Sequence, residues 1–256
     1  MTDFINQNLR SIKNFALLIL ITSVAIGCSE QQNNDADSIV STVIETAGGA
    51  KYENAEIEFK FRGREYGAMF QNGRYEFVRL FKDSTNVVRD VLNNDGFSRE
   101  INGQKTAVID TMAVKYARSV NSVIYFALLP YNLGDDAVNK KYLEEVEMNG
   151  KKYHKLQITF DQEGGGEDFE DVFIYWVNQE NNKVDYLAYS YNVDGGGIRF
   201  REAYNERIVD GIRFVDYINY KPEDGVKVHD TGKEFMAGKL KELSKIELEN
   251  IKVNRL

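Results

Sequence analysis

Arg199 and Arg201 flank Phe200, and the alternation of a β-strand sends both guanidinium groups to one face. From there they can grip an anionic head group. Their plainer reading is a solvated strand face with cross-strand pairs to Glu or Asp. Around them the sequence is dense in aromatics: Phe173, Tyr175, Trp176, Tyr186, Tyr189, Tyr191, Phe200, Tyr204, Phe214, Tyr217 and Tyr220 fall on four neighbouring strand-like segments. Tyrosine offers apolar area with a polar tip, which suits the orientation of a lipid-like ligand in a cavity. Tyr175, Trp176, Tyr189 and Tyr191 are the candidate lining residues from this set, with Tyr125 and Phe126 from an apolar segment upstream. The alternative is that they form a packed core with no ligand.

Catalytic chemistry finds little to work with, and no catalytic residue is assigned. His154 and His229 are the only histidines, and their separation makes no metal site by spacing. No nucleophile elbow is present, and the carboxylates cannot be paired from sequence alone. Two glycine triplets sit beside charge, at Gly164-Gly165-Gly166 and Gly195-Gly196-Gly197. A phosphate-binding glycine loop feeds a helix, whereas both of these run into β-patterned sequence, which reads as a hairpin turn or a strand kink. Acidic residues around the first triplet offer oxygen ligands for Ca²⁺, without EF-hand spacing. No cofactor is implied.

Cys28 is the single cysteine, and its chemistry is of another kind. It closes the run Val24-Ala25-Ile26-Gly27-Cys28-Ser29 after the uncharged stretch Phe15 to Ile26, which Arg10 and Lys13 precede. That is the layout of a signal peptide, and it resembles a signal peptidase II site, with Ala25 where leucine is more usual. The apolar stretch is too short for a transmembrane helix, which wants about 20 residues. Residues 1–27 are therefore expected to be removed, and the Cys28 sulfur to carry a diacylglycerol. Acyl chains of the palmitate type contribute about 0.8 kcal/mol per buried CH₂, and two of them anchor stably. The expectation is a membrane-held protein of the cell envelope, at the outer membrane, with no disulfide within the chain.

The full chain has 32 basic and 40 acidic residues, a net charge of −8. With residues 1–27 gone the charge is −9. Phosphate backbones are bound by concentrated Lys and Arg, so nucleic acid is not an expected partner. Only Pro130 and Pro222 interrupt the chain. With no Pro/Ser-rich linker, one β-rich domain over 38–256 is expected behind a polar tether at 28–37.

Those side chains need elements to hold them. From Ala55 onward apolar and polar residues alternate, as in Ile57, Phe59 and Phe61 against Glu56, Glu58 and Lys60. Similar runs follow at 64–71, 74–81, 87–92, 97–101, 153–160, 172–177, 184–191, 198–204, 211–220 and 246–253. Asn72-Gly73, Asn94-Asp95-Gly96, Asn102-Gly103, Asn149-Gly150 and Asp210-Gly211 supply the positive φ that short hairpins need. Helices are expected at Asp37 to Ala47, from Asp110 to about Leu129 before Pro130, and at Lys233 to Leu243, the last burying Phe235, Leu240 and Leu243. The stretch Val123 to Leu129 is apolar all round, as in a helix buried on several sides. About ten strands must curl or close. The expected fold is mainly β (α+β): a curved antiparallel sheet or half-barrel with the apolar helix on its concave face.

The run Ser119 to Tyr131, with Asp171-Val172-Phe173-Ile174-Tyr175-Trp176, Asp185-Tyr186-Leu187-Ala188-Tyr189 and Gly196-Gly197-Ile198-Arg199-Phe200-Arg201, resembles an uncharacterised lipoprotein family of Bacteroidota. Some members carry a deoxyribose-phosphate aldolase label. That enzyme class implies a (β/α)₈ barrel with a Schiff-base lysine, and this sequence does not alternate strand with helix. The expected architecture is also similar to the periplasmic lipoprotein carriers of the Lol type, half-barrels lined with aromatics and plugged by helices. Three readings follow: an envelope protein holding a hydrophobic or lipid-like ligand in its concave face, a structural envelope lipoprotein that binds a protein partner, and an enzyme.

Overall fold

A computed structural model describes residues 35–163 and 169–256. Cys28, most of the tether and the first glycine triplet lie outside the described residues. Among those described, helix α1 (35–47) leads into a meander of β1 (Ala55–Phe61), β2 (Arg64–Gln71), β3 (Arg74–Asp83), β4 (Asn86–Asn93), β5 (Gly96–Ile101) and β6 (Gln104–Thr106). Helix α2 (Asp110–Ala127) follows. A second meander then runs through β7 (Val138–Met148), β8 (Lys151–Phe160), β9 (Val172–Asn178), β10 (Val184–Tyr191), β11 (Gly197–Val209) and β12 (Ile212–Lys221). Short helix α3 (Thr231–Met236) precedes β13 (Lys241–Ile246) and β14 (Glu249–Arg255).

The strands make two antiparallel seven-stranded sheets, ordered β14-β1-β2-β3-β4-β5-β6 and β13-β12-β11-β10-β9-β8-β7. Neither sheet closes on itself. The expected half-barrel of about ten strands is therefore two sheets and fourteen strands, still mainly β and still folded over the apolar helix. Tight hairpins dominate because pairs such as Asn72-Gly73 and Asn149-Gly150 both take positive φ, the geometry that matches strand twist. Gly195 to Gly197 make the β10–β11 connection.

Three expectations need correction. The helix read at Lys233 to Leu243 ends at Met236, because Gly238 takes φ +68°. Its N–H bonds Phe235 O while Lys239 N–H reaches Glu234 O, a glycine-terminated helix end. Leu240 and Phe235 still pack against the core, but Leu243 is exposed. The strand read at 246–253 is two: Leu248 N–H donates to Asp216 Oδ1 at 2.9 Å, and there the chain leaves one sheet for the other. Strands β6 and β7 lie at sheet edges and were not expected at all.

The first sheet buries one face. Ile57, Phe59, Tyr66, Ala68 and Phe77 pack against Val120 and Ile124 of α2 and Leu128 just after it. Nearer the N-terminus of α2 the packing turns polar, where Arg79, Asp90 and Arg99 lie under Ser119 and Tyr116. The second sheet buries both faces. Its concave face holds Leu156, Ile158, Tyr175, Val177 and Leu187 under Val40 and Val43 of α1. Its convex face holds Trp176, Tyr186 and Phe200 under Phe235 of α3. Gly232 permits that last approach, since a Cβ there would stand 2.7 Å from Trp176 Cζ2.

Candidate functional site

Helix α2 enters the space between the two sheets, and its last two turns carry Tyr125 and Phe126 into the concave face of the second sheet. Beside them a cavity of about 610 Å³ is walled by α2, by Phe160, Phe173, Tyr189, Tyr191, Val215 and Tyr217 of the second sheet, and by Phe61 of the first. That volume lies within the ~300–1,000 Å³ usual for small-molecule sites. On the opposite flank of α2 a second cleft of about 740 Å³ reaches Phe70, Tyr75 and Tyr131. Arg118, Asn121, Tyr125 and Phe160 belong to both walls.

The wall is a continuous aromatic surface. Phe126 lies 5.1 Å from Tyr189 by ring centroids, Tyr189 stacks on Phe173 at 5.3 Å, and Phe160 meets Phe173 edge-on at 5.7 Å. Such contacts hold the rings in fixed orientations. Beneath them Tyr125 and Tyr175 share a hydroxyl contact at 3.2 Å. Burial pushes both of those phenols up, as it does Tyr217, so these groups stay neutral and act only through hydrogen bonds.

Strand alternation decides which sequence candidates meet here. Tyr189, Tyr191 and Arg201 share the concave face and line the cavity with Tyr125 and Phe126. Tyr175 shares the face but is covered, its hydroxyl bonded to Tyr125. Arg199 sits further along β11 over the Tyr191 ring at 5.2 Å and outside the wall. Trp176 does not join them: an even-numbered position on β9 turns it to the convex face, against Phe200 and Gly232. The expectation that it lines the cavity gives way for that reason.

Arg201 differs from the solvated strand residue of its plainer reading. It is 7 % exposed, its guanidinium carbon lies 3.6 Å from the Phe126 ring centroid, and Nη2 donates to Tyr189 Oη at 3.0 Å. Nε and Nη1 have no hydrogen-bond partner among the described residues. Sequence reasoning missed Phe160, although Leu156, Ile158 and Phe160 alternate onto one face. It also missed Lys115, Arg118 and Ser122, whose helical spacing draws a polar stripe along α2 toward Phe126.

Among the described residues no helix is long and apolar enough to cross a membrane, and no group of three or more His, Cys, Asp or Glu could hold a metal ion. No curated protein matches the sequence. The chain is similar in structure to a LolA superfamily protein from Nitrosomonas europaea (TM-score 0.45, 12% identity, 84% of this chain and 93% of that one). It is similar too to an outer membrane lipoprotein-sorting protein domain from Vibrio parahaemolyticus (0.42, 7%, 80% and 99%) and to a DUF1329 family protein from Desulfovibrio piger (0.44, 10%, 86% and 92%). A family model covers residues 17–247, and the chain belongs to that family, DUF6503, a family of unknown function.

Proposed function

We propose that this member of the family is a lipid-anchored envelope protein that binds a hydrophobic or lipid-like ligand in the concave face of its second sheet, against α2. The observation that carries the reading is the aromatic cavity of about 610 Å³ formed where α2 stands off the sheet. The alternative of a partner-binding lipoprotein asks for a filled interior and a contiguous apolar patch outside. The large apolar side chains that are exposed, such as Val87, Ile109, Ile208 and Met236, fall on four different segments.

Anchoring rests on the Cys28 motif: the Cys28→Ala variant should leave the membrane fraction, and retention there would contradict the anchor. Ligand binding is tested by Tyr189→Glu, which sets a carboxylate among Phe126 and Phe173. Uptake of a fluorescent acyl probe should fall at least about tenfold while the near-ultraviolet circular dichroism of the folded chain persists. Unchanged uptake in that folded variant would count against the cavity.

A further inference from the structure

The walls of the cavity are positive in a protein that is negative. Across the chain acidic residues outnumber basic ones by 40 to 32, yet among the described residues the cavity is lined by Arg62, Lys115, Arg118 and Arg201 against one acid, Asp171. Arg62, Lys115 and Arg118 have no ion pair among the described residues. Arg62 and Lys115 are exposed and Arg118 is half-buried, and cations that reach solvent need no partner ion. Arg201 is a different case because it is buried, and burial of a charge is expensive unless hydrogen bonds and opposite charge compensate it.

The compensation that the fold supplies is partial and has a direction. Phe126, Tyr189 and Tyr217 lie 3.6, 5.2 and 5.9 Å from the Arg201 guanidinium carbon by ring centroid. Cation–π contact of this kind stabilises the charge through the face of the group and takes up none of its in-plane N–H donors. Of those, Nη2 is used by Tyr189, while Nε and Nη1 are not used. Register keeps Asp171 at a distance. Arg201 pairs with Leu187 and Leu187 with Tyr175, so the Asp171 backbone, just before β9, lies four residues away along the chain, about 13 Å at ~3.3 Å per residue.

We propose that Arg201 is the head-group receptor of the cavity, and that the ligand is an amphiphile whose oxyanion, a carboxylate or a phosphate, accepts hydrogen bonds from Arg201 Nε and Nη1. The inference rests on the ligand-binding reading above and narrows it to anionic ligands. The rim cations Arg62, Lys115 and Arg118 favour entry of such a head by raising its local concentration. The aromatic wall takes the chain.

The test uses the full-length chain held in amphipol, with empty amphipol as the baseline, and two probes that differ only in their head: cis-parinaric acid and its methyl ester. Wild-type protein should bind the acid at least about tenfold more tightly, the scale of hydrogen bonds to a charged group. Arg201→Met should erase that preference by weakening the acid far more than the ester, and an unchanged near-ultraviolet circular dichroism spectrum shows that the variant is folded. Arg201→Lys should retain part of the preference. Displacement of the acid by palmitate or by a monoacyl phosphate then separates a carboxylate from a phosphate head, and either supports the assignment. Equal binding of acid and ester by wild type, or a preference that survives in Arg201→Met, would overturn it while leaving the cavity intact. Binding of neither probe would overturn the ligand-binding reading itself.

Discussion

Two of the three buried arginines among the described residues, Arg79 and Arg201, are treated in opposite ways. Arg79, on the first sheet, uses all three guanidinium nitrogens: Nε and Nη2 donate to Asp90 at 3.1 and 2.6 Å, and Nη1 to Ser119 Oγ at 2.7 Å. Asp90 in turn takes two bonds from Arg99. Arg201, on the second sheet, has one nitrogen bonded and rests on aromatic faces. The first arrangement fastens α2 to its sheet with every guanidinium nitrogen bonded. The second leaves two buried donors without a partner, on a residue that lines the cavity. Completeness of pairing separates a structural charge from one available to a ligand, although the two residues are equally polar and almost equally buried.

The largest effect should come from breaking the complete site. Asp90→Ala strands two cations under α2 and should cost about 3–5 kcal/mol, read as a lower urea midpoint by the fluorescence of Trp176, the sole tryptophan. A loss below about 1 kcal/mol would mean that the network contributes little. Next, Gly232→Ala forces a methyl against Trp176 and should cost about 1–3 kcal/mol without changing ligand affinity, because the strain falls on the convex face. Altered affinity there would show the two faces of the second sheet to be coupled.

Arg201→Met should be the mild counterpart, within about 1 kcal/mol of wild type or more stable, since replacing an incompletely paired buried charge with an apolar side chain is often neutral or favourable. A loss as large as that of Asp90→Ala would make Arg201 a structural residue after all. The smallest effect concerns pH. Burial lowers the pKa of both His154 and His229 below the ordinary histidine value. Below about pH 6.5 the unfolded chain therefore takes up those protons first, and stability falls as pH drops. Replacing both with Gln should flatten that part of the pH profile. Neither histidine lines the cavity, so ligand affinity should be the same in the double variant.

The same contrast explains what the sequence made legible. Hairpins announced by Asn-Gly pairs, the α2 boundaries near Asp110 and Pro130, and the alternation that sends Arg201 and Tyr189 to one face are local properties. Each survives into the fold. Arg62-Gly63 turns the β1–β2 hairpin with Arg62 at φ +50°, a conformation arginine does not advertise. Strand β7 was hidden because a bulge between Tyr142 and Glu144 shifts its register, so Tyr142 joins the concave core while Val146 and Met148 join the convex one. Charged residues such as Lys141, Glu145 and Glu147 also dilute its pattern, as suits an edge strand. The placement of Trp176 on the outer face depended on knowing which parity of β9 meets α2. The distinction between Arg79 and Arg201 depends on partners 11 and 40 residues away in the first case and 12 and 75 in the second, and no window of sequence contains both.

Occupancy of the cavity tests the central claim most directly. The full-length chain, purified from cells and released gently from its carrier, should show in native mass spectrometry a surplus mass beyond that of the chain with any covalently attached lipid. Denaturation should release it as a small amphiphile, and Tyr189→Glu protein should lack it. An unliganded wild-type mass that no added acyl amphiphile can increase would contradict the account and shift it to a partner-binding lipoprotein.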